Sequence, residues 1–121
     1  MGIKSASVTF IVVATGLMSV PPAHAAGPAL SDYVWVQPTL GFSDCMERAS
    51  NALSQIGVAD VQQSVPNDGL GFVGGEAGDY YLGVICMSFK GIVVTQGAGA
   101  DFNTADNYRQ QIDAQMKLGS P

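Results

Sequence analysis

The chain has 121 residues, a 47% share of hydrophobic side chains, and ten acidic residues against five basic ones, a net charge of −5. That length holds one small domain, not two. An acidic surface repels phosphate backbones, which need clustered Lys and Arg, and so argues against nucleic acid and anionic membrane as partners.

Residues 1–25 read as a secretory signal peptide. Lys4 precedes an apolar run from Val8 to Val20, Pro21 and Pro22 break it, and Ala23-His24-Ala25 supplies the small-x-small cleavage pattern. The run is interrupted by Ser, Thr and Gly and falls short of the roughly 20 apolar residues of a membrane anchor. No cysteine stands at the cleavage point and no arginine pair precedes the run, which argues against a lipoprotein and a twin-arginine substrate. The expectation is export to the periplasm or the outside of the cell, with residues 26–121 as a single small domain. Cleavage after Ala25 removes Lys4 and His24, the sole histidine. Arg48, Lys90, Arg109 and Lys117 then face ten acidic residues, a net charge of −6.

The two cysteines are Cys45 and Cys86. In an exported chain such a pair reads as a disulfide. Closing that loop is worth about 4 kcal/mol in the chain-entropy account. A redox pair normally has the C-x-x-C spacing, and a zinc site needs four ligands; this chain offers neither.

Tyr33 to Gln37 alternates as a strand, with Tyr33 and Trp35 on one face and Val34 and Val36 on the other, and Pro38 ends it. Ser43 to Ile56 reads as a helix capped by Ser43, with Asp44 and Glu47 near its positive end. Cys45, Ala49, Ala52, Leu53 and Ile56 form its buried stripe, and Gly57 closes it. Val58 to Val65 is a strand candidate, followed by the Pro66-Asn67-Asp68-Gly69 turn and a weaker, glycine-rich strand from Leu70 to Glu76.

Tyr80 to Phe89 is the strongest strand. Tyr80, Leu82, Val84 and Cys86 share its core face; Tyr81, Ile85, Met87 and Phe89 share the other. Lys90-Gly91 turns the chain into Ile92 to Gln96, which reads as a free edge open to strand addition. A last helix, capped by Asn103 or Thr104, runs to about Leu118 with Ala105, Tyr108, Ile112 and Met116 on one stripe. The expected fold is α+β: a small antiparallel sheet with two helices packed on one face and one disulfide.

Loss of the histidine excludes Ser-His-Asp and Cys-His chemistry from residues 26–121. Asp44 and Glu47 are accounted for by the helix start, and Glu76 and Asp79 by a turn. Asp101, Asn103 and Asp106 resemble a calcium loop only at their start, because Asp106 stands where glycine is needed and Ile112 where glutamate is needed. The glycine clusters lack the phosphate-loop lysine and the dinucleotide spacing. No cofactor and no metal is expected.

The spacing of Cys45, Ala49, Leu53 and Gly57, then Gly78-Asp79-Tyr80, Ile85-Cys86, Gly91-Ile92-Val93-Val94 and a final amphipathic helix, resembles a group of short exported bacterial proteins of unknown function. The resemblance spans about Phe42 to Met116. It implies paired cysteines and a compact domain, and it implies no activity.

The functional expectation is a non-enzymatic exported binding domain for a protein, peptide or glycan. Tyr81, Ile85, Met87 and Phe89 form the partner-binding face, unless the N-terminal segment with Tyr33 and Trp35 folds over it. The alternatives are a small inhibitor of a secreted enzyme, and a cell-wall glycan enzyme using Glu76 and Asp79.

Overall fold

Alternating burial along the strongest apolar stretch places Leu82, Val84 and Cys86 against the helices. Every other element is arranged around that strand. The structure, a computed structural model, describes residues 29–119; the leader expected at 1–25 lies outside them. In chain order the elements are β1 (Ala29–Val36), α1 (Phe42–Ile56), β2 (Gln62–Asn67), β3 (Leu70–Ala77), β4 (Tyr80–Met87), a 3-10 turn (Ser88–Lys90), β5 (Ile92–Gly99) and α2 (Phe102–Met116).

The strands form one antiparallel sheet in the order β1-β5-β4-β3-β2. α1 packs on β3 and β4, α2 packs on β5 and β1, and the helices touch each other. The fold is α+β, with both helices on one face and a Cys45–Cys86 disulfide joining α1 to β4. Both cysteines are buried among Leu53, Leu82, Val84 and Ile112.

Three of the expected helix ends move. α1 starts at Phe42 with Gly41 as its N-cap, and the Ser43 side chain makes no cap bond. The start follows packing: a Cβ on Gly71 would collide with Met46 and meet Phe42 at 3.0 Å, so Gly71 lets the first turn of α1 sit directly on β3. At the other end Gly57 adopts φ 116°, and the Val58 N–H donates to the Leu53 carbonyl at 2.9 Å. This wraps Val58 under the helix and removes it from the strand expected at Val58–Val65. β2 begins only at Gln62, and all of it is exposed.

α2 is capped by Asp101, not by Asn103 or Thr104. The Asp101 carboxylate accepts from the Thr104 N–H at 2.9 Å and its hydroxyl at 2.8 Å. The helix ends at Met116, where Lys117 takes a left-handed conformation (φ 57°), ahead of the stop expected at Gly119. β5 is not an edge: β1 lies against it over its whole length, from Ala29 opposite Gly99 to Val36 opposite Ile92. The edges are β1 and β2.

Candidate functional site: the open face of the sheet

Strand register determines which side chains share a surface, because residues directly opposite on neighbouring strands point the same way. On the side away from the helices the register gives four rows across the sheet. The first is Val36, Ile92, Met87 and Leu70; the second is Val34, Val94, Ile85, Phe72 and Ser64. The third is Asp32, Gln96, Gly83, Gly74 and Gln62, and the fourth is Leu30, Ala98, Tyr81 and Glu76. Across β1, β5, β4 and β3 the first two rows are unbroken aliphatic, aromatic or thioether side chains. Val36 is 74% exposed and Val34 56%. The rows hold no lysine or arginine, and their charged members are Asp32 and Glu76, both outside the apolar rows.

Tyr81, Ile85 and Met87 stand on this face as the alternation of β4 requires. Phe89 does not belong to the strand. β4 ends at Met87, and Ser88–Lys90 form a 3-10 turn closed by Gly91. The Ser88 N–H donates to the Gly69 carbonyl at 2.9 Å, which places exposed Phe89 beside Gly69 at the end of the sheet. A run of apolar residues cannot reveal where a strand gives way to a tight turn, and so the alternation overran by two positions.

The tyrosine of the fourth row lies down across the third. A Cβ on Gly74 would strike the Tyr81 hydroxyl, and one on Gly83 would meet the ring at 3.4 Å. The two glycines form a shelf for the ring. Partial burial there, and then the negative charge of Glu76, push the Tyr81 phenol above its usual value of about 10. At neutral pH it is a hydroxyl able to donate a hydrogen bond. The face therefore offers apolar contact in two rows and, beside them, one phenol, one hydroxyl, two amides and the carboxylates of Asp32 and Glu76, which suits association.

Among the described residues, the N-terminal segment with Tyr33 and Trp35 does not fold over this face. β1 is an edge strand, and Tyr33 and Trp35 point to the helix side, where their rings meet in a tilted contact with centroids 4.6 Å apart. There they join a polar network with no counterpart in the sequence-based expectations. Asp113 accepts from the Trp35 indole N–H at 3.1 Å and from the Thr95 hydroxyl at 2.6 Å, and it is ion-paired with Arg109. Arg109 donates to the Ser31 hydroxyl at 2.9 Å and pairs with Asp106 at 3.2 Å, and its guanidinium lies 5.6 Å from the Tyr33 ring centre. Ser31 in turn donates to Asp106 at 2.6 Å. Hydrogen bonds from Ser31, then Gln110 and Arg109, hold the Asp106 carboxyl below the usual carboxylate range. The i, i+3 and i, i+4 spacing of Asp106, Arg109 and Asp113 is the sequence signal that could have exposed this face of α2. The network fastens β1 to α2.

Glu76 and Asp79 are both exposed, beside the turn closed by Gly78. Neither lines either of two shallow depressions in the surface of the described residues, one of about 490 Å³ along α2 at Asn103, Asn107, Tyr108 and Gln111, the other of about 420 Å³ between α1 and β2 at Phe42, Met46, Glu47 and Gln63. Among the described residues no group of three His, Cys, Asp or Glu side chains is placed to hold a metal ion. No described helix is long and apolar enough to cross a membrane. Comparison of the chain with protein-family models, curated proteins and solved structures gives no match.

Proposed function

We propose that the protein is an exported, non-enzymatic interaction module whose working surface is the open face of the sheet. The observation that carries this reading is the pair of apolar rows crossing four strands without a charge, opposite the face that both helices cover. Val34, Val36 and Phe72 in these rows are exposed and the other five residues half-buried; a contiguous solvent-facing apolar surface of this kind is unfavourable in water and marks association sites. Export is supported by the leader-like residues 1–25 and by the disulfide, which belongs to oxidising compartments. Within the expected set, Ile85 and Met87 lie inside the apolar rows, Tyr81 borders them on its glycine shelf, and Phe89 stands outside them in the turn at the end of the sheet.

The test is a photo-activatable residue placed singly at Val34, Phe72 or, as a control on the helix side, Gln111. Each variant is expressed with its leader in its own host and irradiated. Adducts are expected from positions 34 and 72 and not from 111. Absence of adducts at both face positions, or equal yields at all three, would end the proposal.

A further inference from the structure

We infer that the partner on this face is a second copy of the chain, the two sheets packing face to face with α1 and α2 on the outside of the pair. The inference rests on the reading of the open face as an interface and names what covers it.

Size supports it. Five strands about 4.8 Å apart, four of eight residues and β2 of six, at about 3.4 Å per residue, present a footprint of about 600 Å² over the whole face. Two such faces bury about 1,200 Å², just above the roughly 1,000 Å² that a specific interface needs and below the standard of about 1,600 Å². An interface at the low end of the specific range fits a weak, reversible dimer.

Shape and charge support it as well. The inner face of a two-sheet sandwich is a layer of alternate apolar side chains on a twisted sheet, about 10 Å from its neighbour. The two apolar rows are such a layer, with no second sheet in the described chain to meet it. They carry no charge for which a partner of opposite sign would be required. Asp32 and Glu76 lie in the other two rows and are exposed, at the margin where water reaches them in a pair. An isologous contact of this kind closes at two copies.

The experiment is sedimentation equilibrium of the purified, oxidised chain, freed of its leader, from about 1 to about 200 µM. The expected result is a monomer giving way to a dimer across that range. Val34→Lys combined with Phe72→Lys places four positive charges inside the pair and should weaken it at least about 100-fold. Gln111→Lys should leave it unchanged. Both face positions are exposed, so the monomer should keep its fold, which circular dichroism checks. Independently of that variant, irradiation of the purified protein carrying the photo-activatable residue at Val34 should give a band at twice the chain mass. A monomer at every concentration, or a dimer indifferent to the two lysines, would overturn the inference. The first outcome combined with a heterologous adduct at Val34 in the host would leave the interaction module standing with a different partner.

Discussion

Replacing Asp113 with alanine should remove about 3–5 kcal/mol of folding stability. The carboxylate accepts from Trp35 and from Thr95, and Thr95 is wholly buried. A hydrogen bond to a charged acceptor contributes about 1.5–3 kcal/mol, and a buried donor left without a partner costs about 1–3 kcal/mol. The Arg109 pair adds to this, since both side chains are only 11–12% exposed; breaking fully buried pairs costs about 3–5 kcal/mol. These terms overlap, so their sum is an upper bound. The loss is large against the roughly 5–13 kcal/mol expected of a domain this size. Asp113→Asn keeps an acceptor oxygen for Trp35 and Thr95, and Arg109 keeps its pair with Asp106 and its bond to Ser31, so it should cost less, about 1–2 kcal/mol. Urea unfolding of the oxidised protein, followed by Trp35 fluorescence, measures both. An alanine variant that loses less than about 1 kcal/mol, or an asparagine variant as unstable as the alanine one, would refute the hydrogen-bonding role.

Three further expectations follow from the same geometry. Cys45→Ser with Cys86→Ser opens a loop of sequence separation 41 and should lower stability by about 4 kcal/mol in a chemical unfolding curve. Because its carboxyl is held low in the folded state, Asp106 contributes stability that is complete above the ordinary carboxylate value of about 4 and is lost as pH falls through the lower folded value. Asp106→Asn should therefore flatten the acid limb of a pH–stability curve and change its slope little above pH of about 6. Gly97→Ala should cost about 1–3 kcal/mol, since its methyl would run into the Ala105 carbonyl and push α2 off β5. Gly74→Ala should cost less than Gly97→Ala, because the closest obstacle there is the movable end of exposed Tyr81 and the Leu82 carbonyl stands off at 3.0 Å, and thermal melts of the two variants separate the cases.

What could be read from the sequence was local. The 3.6-residue stripe through Cys45, Ala49, Ala52 and Leu53 placed the cysteine on the buried face of α1, and the two-residue alternation through Leu82 and Val84 did the same for Cys86. The disulfide satisfies both patterns at once. Pairing between distant strands leaves no such periodic mark. Nothing local in Ile92–Gly99 indicates that Ala29–Val36 will lie along it, so β5 was expected as an edge, with β1 as a cover for the open face only the alternative to an exposed one. Arg109 and Asp113 were missed for a related reason. On a helix of mixed polarity, charged residues suggest the solvent side, and only the arrival of Ser31, Trp35 and Thr95 turns that side inward. The candidate face was legible in its central strand, because β4 alternates strongly. Its extension onto Val34, Val94 and Phe72 depended on a register that only the assembled sheet defines.

The position of β1 has a kinetic consequence. Strands β2 to β5 follow one another as a meander, each pairing with its successor across a short turn, so they can assemble through nearby contacts. β1 has to wait: its first residue, Ala29, lies opposite Gly99, and its anchors Asp106, Arg109 and Asp113 come later still. Long-range closures of this kind are the slow part of folding. A chain emerging N-terminus first would carry Leu30, Val34 and Val36 unpaired until nearly all of it had appeared. The step that completes the sheet is then the docking of its first strand, latched by the last helix.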